Sequence, residues 1–294
     1  MKMQPAGSVP ATPRVTDIHV HVEPWTMLKP AIRATFEQSF EFKHLDAITA
    51  SPAAFLDFLD GQGVWRAAII NYVSPEIMGF TAGVNEFCAR FCDHDRRRLI
   101  PFGCPDLANC SDPRSEMRML FDGLGIRGIK IHPPHQAISP AAYRDGFRPQ
   151  AILYEECSAR GVPVMIHTGT SIFKGARSRL GDPMPIDDVC VDYPDLKIIL
   201  AHGGRPLWMD ECFFLLRRHA NVYLDISSIP PASLVRYFPR IEEVASKTMF
   251  GSDWPSPGVP EIRRNVDQLK ALPLSPAALR QILETTALSI FPDA

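Results

Sequence analysis

The sequence predicts a single (β/α)8 TIM barrel, because short apolar segments alternate with helix-forming segments eight times along its 294 residues. Barrels of this kind commonly run to ~250 residues as one domain. Residues 1–14 are rich in Pro, Ala and Ser and are expected to form a flexible tail, which leaves residues 15–294 as one barrel domain. An open nucleotide-binding sheet is disfavoured, because Gly123-x-Gly125-x-x-Gly128 follows a predicted helix and opens a strand, the reverse of the order that this motif requires.

The elements follow from local signals along the chain. The predicted strands are apolar or β-branched runs at residues 15–21, 67–73, 99–104, 126–131, 162–167, 197–202, 221–226 and 248–253. Ser51-Pro52 and Asp112-Pro113 each place an N-cap residue before a proline at the first helical position, and Gly61 and Gly161 are expected to end helices. A helix over residues 206–218 is expected to bury a stripe made of Trp208, Cys212, Phe213 and Leu216.

Composition excludes several classes of function. The chain has 31 basic and 33 acidic residues and a net charge of −2, so charge gives no reason to expect nucleic acid or a membrane surface as a partner. No apolar run approaches the ~20 residues of a membrane span, and the N-terminus lacks the apolar core of a secretory signal. Seven cysteines without a CxxC pair indicate reduced thiols of a cytoplasmic protein. A homo-oligomer is left open.

Histidine and aspartate recur at the ends of the predicted strands. In a barrel the active site lies at the C-terminal ends of the strands, and residues two apart in a strand, such as His19 and His21, point the same way. A lone histidine is more often a hydrogen-bonded structural residue, but this recurrence in one chain favours a divalent metal site. The candidate ligands are His19, His21, Lys130, His167, His202 and Asp253.

Four segments carry a resemblance to a known family. They are DIHVH at 17–21, IHTG at 166–169, LAHGG at 200–204 and FGSDWP at 250–255. In this order they resemble the amidohydrolase superfamily, most closely its amidohydrolase-related (amidohydrolase 2) branch, from about residue 15 onwards. That branch contains metal-dependent hydrolases, lactonases and non-oxidative decarboxylases. The closing segment, TALSIF at 286–291, departs from the Asn-Ala-x-x-Leu-Phe-like pattern common in the branch and indicates a divergent subgroup.

The resemblance assigns roles to individual residues. It implies that His19, His21, His167 and Asp253 bind the metal, and that His202 is a ligand of a second metal or a catalytic acid/base. Lys130 resembles the strand-4 lysine that, in some superfamily members, is carboxylated and bridges two cations. We expect Zn as the metal, with Mn as the alternative, and one ion rather than two.

The residues favour hydrolysis as the reaction. Asp253 can accept a proton from a water whose pKa the metal has lowered, and the metal, with His202, can polarise the carbonyl under attack. The first hypothesis is therefore a metal-dependent hydrolase of an amide, ester or lactone bond in a small carboxylated, cyclic substrate. The alternative is a metal-dependent non-oxidative decarboxylase of an aromatic or muconate-like acid. The third is a non-catalytic metal- or ligand-binding barrel.

Residues in the loops indicate an anionic small-molecule substrate. Arg177 and Arg179 lie in the fifth loop, and Arg205 follows the Gly-Gly turn after His202, so their guanidinium groups are candidates to bind a substrate carboxylate. His132 shares a face with Lys130 and is a further candidate contact, whereas the other histidines are expected to be structural. The Asp225–Ser228 segment at the end of strand 7 is also expected to contact substrate. Aromatic residues of the first loop are expected either to cover the mouth or to pack outside the barrel: Trp25, Phe36, Phe40 and Phe42.

Overall fold

A closed barrel of parallel strands organises the protein. The computed structural model describes residues 13–38 and 42–292, and within them eight strands pair in sequence order, each parallel to the next. The ring closes where the Ile18 N–H donates to the Phe250 carbonyl at 3.0 Å and the His21 N–H donates to the Trp254 carbonyl at 2.8 Å. The strands are β1 Val15–Val20, β2 Val64–Ile69, β3 Leu99–Gly103, β4 Gly128–Ile131, β5 Val164–His167, β6 Ile198–Ala201, β7 Val222–Asp225 and β8 Thr248–Met249. The predicted (β/α)8 barrel is confirmed.

Helices connect the strands around the outside. They are α1 Pro30–Glu37, α2 Phe42–Thr49, α3 Pro52–Gln62, α4 Gly83–Cys92, α5 Pro113–Arg118, α6 Pro133–Gln136, α7 Arg148–Arg160, α8 Pro185–Asp192, α9 Met209–Arg218, α10 Leu234–Tyr237, α11 Ile262–Lys270, α12 Pro276–Arg280 and α13 Thr286–Ile290. The predicted caps form, since the Ser51 hydroxyl accepts from the Ala54 N–H and the Asp112 carboxylate from the Ser115 N–H. In the part of the chain described, no helix is long and apolar enough to cross a membrane.

Several predicted boundaries were wrong. Helix α3 continues through Gly61 and ends at Gly63, whose φ of +73° glycine adopts without a steric penalty. Strand β2 therefore begins at Val64 rather than at residue 67. Helix α9 begins at Met209, so Trp208 precedes it, and both Trp208 and Phe213 of the predicted buried stripe are only partly buried. Strand β8 is reduced to two residues, because the chain turns towards the barrel mouth after them.

The barrel interior is filled by apolar side chains, and polar side chains lie at the C-terminal ends of the strands. A cluster of buried apolar side chains from six strands, with Ile70 directly after β2, fills the inside of the barrel: Ile18, Ala68, Ile70, Ile100, Phe102, Met165, Ile199, Ala201 and Met249. Phe291, from the divergent closing segment, packs on Phe102 at a ring-centroid distance of 5.6 Å and seals the floor. The buried Arg66 guanidinium donates to the Phe291 and Pro292 carbonyls. The polar side chains at the C-terminal ends of the strands therefore pack against a closed apolar core. The predicted tail at 1–14 lies outside the described residues except for its last two positions.

Candidate metal centre and catalytic cavity

Three side chains at the C-terminal mouth bring metal-binding atoms together. His19 lies in β1, His202 directly follows β6, and Asp253 follows β8. One donor atom from each lies within 4.8 Å of the others, and all three residues are buried. His19 Nε2 is 3.5 Å from Asp253 Oδ1. Two imidazoles and one carboxylate form a donor set that suits Zn2+ and similar divalent cations.

His21 lies at the edge of this donor set. Its Nε2 is 3.2 Å from Asp253 Oδ1, and its Nδ1 is 3.0 Å from Glu23 Oε1. Burial acts to lower the pKa of His21, but Glu23 and Asp253 outweigh it and raise the pKa to about 9. Metal ligation requires a neutral imidazole, so His21 can act as a ligand only by giving up this proton. Glu23 was missed in the sequence, although it continues the two-residue spacing of His19 and His21.

His167 offers a buried nitrogen with no partner. It is the last residue of β5, and its Nε2 has no hydrogen-bond partner among the residues that the structure describes. Its ring lies edge-on to that of His202 at 4.8 Å. Burial first, and then the nearby His202 and Lys130, hold the pKa of His167 well below its usual range. An unpaired buried nitrogen is costly, and a neutral imidazole beside the donor set is the form that a cation binds. These residues therefore fit a divalent metal.

Lys130 lies inside the barrel beneath the same group. Its Nζ is 3.4 Å from His19 Nε2 and 3.6 Å from Met165 Sδ, and the residue is almost completely buried. Burial lowers the pKa of Lys130 to about 8, although Asp225 and Asp253 act in the opposite direction. The structure thus brings Lys130 close to the donor set, as the sequence led us to expect.

Residues at the end of β7 hold the imidazoles in place. Asp225 Oδ2 lies 2.5 Å from His19 Nδ1 and accepts the Ser227 hydroxyl at 2.8 Å. The Ser227 hydroxyl oxygen is also 2.9 Å from His202 Nδ1. Asp225 and Ser227 are fully buried and do not line the cavity, so the expected substrate contact was wrong for these two residues, whereas Ser228 of the same segment does line the cavity. They support the candidate ligands from behind, an arrangement common around protein metal sites.

The backbone is strained at the residues that form the mouth. His202, Ser228 and Asp253 have φ values of +66°, +56° and +66°. Residues other than glycine seldom adopt this region, and where they do the surrounding contacts must hold them there. The Ser228 hydroxyl donates to Asp253 Oδ2, and Asp253 N–H donates to the His19 carbonyl at 2.8 Å. Such strain is concentrated at functional sites in proteins.

The donor set opens into a cavity of about 230 Å³. This volume lies below the ~300–1,000 Å³ typical of sites for drug-sized ligands, so it suits a molecule about the size of one ring. Phe36 of the first loop forms part of the wall and stacks on Phe173 at 6.0 Å. Trp25 packs behind Phe36 without lining the cavity. Phe40 and the side chain of Phe42 lie outside the described residues.

A second group of aromatic and imidazole rings forms the wall opposite Asp253. His132 lines the cavity as expected and stacks between His167 and His135 at 3.8 and 3.5 Å. His135 also lines the cavity, although the sequence suggested only a structural role. Its Nδ1 is 3.1 Å from the Tyr72 hydroxyl and its Nε2 is 2.8 Å from Ser171 Oγ. These partners lie on separate loops, so nothing in their spacing could have revealed the group.

One of the three candidate arginines reaches the cavity. Arg205 forms part of its wall and donates to the Ser228 carbonyl at 2.8 Å. It forms no ion pair with Asp210 or Glu211 of α9, the carboxylates nearest in sequence. Arg177 and Arg179 are exposed and are not among the residues lining the cavity. Of the three candidate arginines, the structure therefore brings only Arg205 to the cavity.

Comparison with known proteins agrees with this architecture. The family model described as amidohydrolase matches residues 16–292. No curated protein matches the chain. Among solved structures, an uncharacterized TIM-barrel protein from Bordetella bronchiseptica is 20% identical, with a TM-score of 0.73, 95% of this chain covered and 98% of the other.

Two solved enzymes are also similar in fold. A 4-oxalomesaconate hydratase from Rhodopseudomonas palustris is 18% identical, with a TM-score of 0.63, 95% of this chain covered and 96% of the other. A dihydroxybenzoic acid decarboxylase from Polaromonas, solved with bound manganese and the inhibitor 2-nitroresorcinol, is 16% identical, with a TM-score of 0.65, 95% of this chain covered and 97% of the other. At these identities the likeness establishes the barrel fold.

Proposed function

The chain belongs to the amidohydrolase family, and from this premise we propose that it is a metal-dependent hydrolase of an amide, ester or lactone bond in a small carboxylated, cyclic substrate. The observation that carries the proposal is the carboxylate of Asp253. It lines the cavity, and it shares a donor set with His19 and His202.

His19, His202 and Asp253 would hold the cation, with His21 and His167 beside them. A bound divalent cation supplies a Lewis acid for a substrate carbonyl and lowers the pKa of a water towards ~7. Imidazole and carboxylate donors suit Zn, and the similar decarboxylase from Polaromonas contains manganese. Elemental analysis of protein purified without chelator is expected to give near-stoichiometric Zn or Mn.

The carboxylate of Asp253 is ionised in the cavity. Burial alone would raise the pKa of Asp253, but the imidazoles of His202, His21 and His19 hold it well below its usual range. Its Oδ2 accepts the Ser228 hydroxyl, so Oδ1 is the oxygen that faces His19 and His21. An ionised carboxylate in this position can take the proton of an attacking water as a general base.

His202 would bind the cation, and Arg205 would bind and orient the substrate. Burial lowers the pKa of His202 to about 3, so its imidazole is neutral. Its Nδ1 is held by the carbonyl and hydroxyl of Ser227 at 3.2 and 2.9 Å, which leaves Nε2 as the nitrogen available to the cation. Arg205 borders the cavity with a guanidinium suited to a carboxylate. The rings of Phe36 and Phe173 would pack against an apolar ring.

Product analysis in ¹⁸O-labelled water tests the proposal. A panel of lactones, esters, amides and aromatic acids would be incubated with the protein, and the products would be assayed for ¹⁸O and for released carbon dioxide. We expect ¹⁸O in a new carboxyl group, and we expect Asp253→Asn to abolish turnover. Asp210→Asn, on the exposed face of α9, is the matched control and should behave as wild type. Turnover by Asp253→Asn at the wild-type rate would contradict the assignment of the base.

Non-oxidative decarboxylation of an aromatic or muconate-like acid is the second candidate. The aromatic cavity wall formed by Phe36, Tyr72 and Phe173 favours it, as does the likeness to a dihydroxybenzoic acid decarboxylase. Carbon dioxide release without incorporation of ¹⁸O would establish this reaction in place of hydrolysis. Failure to turn over any compound of the panel would favour a non-catalytic ligand-binding barrel.

A further inference from the structure

A second cavity opens directly beside the catalytic one. It has a volume of about 320 Å³, and Arg205, Ser228 and Pro257 line both cavities. Its remaining walls come from the loops at 229–232 and 257–260 and from the first turns of α11. A substrate held by the metal centre could therefore extend past Arg205 into this adjoining space.

The wall contributed by α11 is polar. Arg264, Asn265 and Gln268 line the second cavity, and the exposed Arg264 makes no ion pair or hydrogen bond with any residue in the described ranges. Arg205, at the boundary, donates to the Ser228 carbonyl and is in no ion pair among the residues that the structure describes. Two guanidinium groups without an acidic partner thus border one cavity, and guanidinium binds carboxylate through paired, charge-assisted hydrogen bonds.

The opposite wall is apolar and stiff. Its residues are Ile229, Pro230, Pro231, Ala232, Pro257, Val259 and Pro260. Proline has a fixed φ and no N–H donor, so this wall offers a preformed surface for a ring edge or methylene groups and leaves the polar contacts to α11. The cavity therefore combines an apolar side with a cationic side.

We propose that this second cavity, here called the outer subsite and defined by Arg205, Arg264, Asn265 and Gln268, binds a second anionic group of the substrate. The substrate class is then a dicarboxylic acid or its ester, amide or lactone, with one end at the metal centre and the other at α11. The inference rests on the proposed function only in requiring a carboxylated substrate.

Calorimetric titration with matched ligand pairs tests the outer subsite. The probes are terephthalate and 4-(2-carboxyethyl)benzoate, which place a second carboxylate at two distances from the first. Each is compared with the monomethyl ester that removes the distal charge and keeps the shape, and chromatography after each titration verifies that the ester is intact. A charge-assisted contact corresponds to ~10- to 100-fold in affinity, so at one of the two lengths the diacid should bind at least tenfold more tightly than its ester.

Two variants on α11 distinguish a specific contact in the outer subsite from a general effect of positive charge on diacid affinity. Arg264→Gln should reduce the affinity advantage of the diacid over its ester to less than about threefold. Lys270→Gln removes a charge from the same helix at an exposed position outside the cavity, and it should preserve the full advantage. Thermal melting would verify that both variants are folded.

Two results would overturn the inference and can be told apart. Equal binding of diacid and ester at both lengths, or a full diacid advantage in Arg264→Gln, would remove the outer subsite and leave the proposed hydrolase intact. Absence of binding by every acid tested, together with absence of turnover, would remove the carboxylated substrate and the subsite together.

Discussion

Replacing Asp225 by asparagine should weaken metal binding at the barrel mouth. Asp225 Oδ2 lies 2.5 Å from His19 Nδ1, and the exposure of the two side chains is 0% and 1%. The Ser227 N–H and hydroxyl also donate to Asp225, each at 2.8 Å, so the carboxylate is surrounded by donors and acts only as an acceptor. It therefore holds the proton of His19 on Nδ1 and leaves the lone pair of Nε2 directed at the donor set.

The magnitude follows from the role of such supporting carboxylates. Mutating a hydrogen-bonding partner of a ligand histidine typically costs ~10- to 100-fold in metal affinity, or ~1.4–2.7 kcal/mol. The asparagine amide would keep the shape of the side chain but remove the charge that increases the basicity of His19. Because both groups are fully buried, solvent cannot compensate for the loss, and we expect the effect to lie in the upper part of this range.

Competition with a chromophoric chelator would measure the effect. Zn2+ or Mn2+ would be titrated into wild type and Asp225→Asn, and the affinities compared directly. Asp187→Asn is the matched control, because Asp187 Oδ1 lies 2.6 Å from His219 Nε2 in an equivalent pair outside the metal centre. The control should bind metal as wild type does. Unchanged metal affinity in a folded Asp225→Asn protein would refute the supporting role and the assignment of His19 as a ligand.

Three further predictions concern the same centre. Arg205→Met should raise KM or lower kcat/KM by ~10- to 100-fold through loss of a carboxylate contact, with bound metal unchanged; unaltered kinetics would contradict an anion-binding role. The Lys130→Met variant should bind one metal ion per chain, the same number that we expect for wild type. If wild type instead binds two ions and the variant binds one, Lys130 is a bridging ligand. Gly251→Ala should lower Tm, because its Cβ would lie 2.3 Å from Asp225 Oδ1 and overpacking typically costs ~1–3 kcal/mol. Gly61→Ala has no atom within 4 Å of the added Cβ and should raise Tm slightly; equal Tm changes in the two variants would contradict the clash.

The barrel fold was predictable because each strand and each helix is indicated by the sequence pattern of its own segment. Short apolar runs and proline-led N-caps do not depend on distant contacts, so Ser51 and Asp112 cap their helices as expected. Boundaries were less predictable where two signals compete. Gly61 and Gly63 both offer a helix end, and only Gly63 adopts the left-handed φ that terminates α3.

The candidate ligands were predictable for a different reason. Parallel strands in a barrel bring their C-terminal ends to one mouth, so residues far apart in sequence must converge there whatever the loop conformations. This geometry explains why His19, His202 and Asp253 meet as expected. It also explains the failure at Arg177 and Arg179, which lie well inside a long loop whose path the strand positions do not determine.

The residues that complete the site depend on backbone conformations that sequence preferences do not encode. Simple alternation along β1 is interrupted by a register shift between Asp17 and Val20, so Ile18 packs in the barrel interior although His19 also faces the centre. Ser228 and Asp253 both adopt left-handed φ values, which residues other than glycine seldom do. The Ser228 hydroxyl donates a hydrogen bond to the Asp253 carboxylate. This hydrogen bond helps to hold both Ser228 and Asp253 in their left-handed conformations. The orientation of the proposed base is therefore a property of the closed barrel and not of any single segment of the chain.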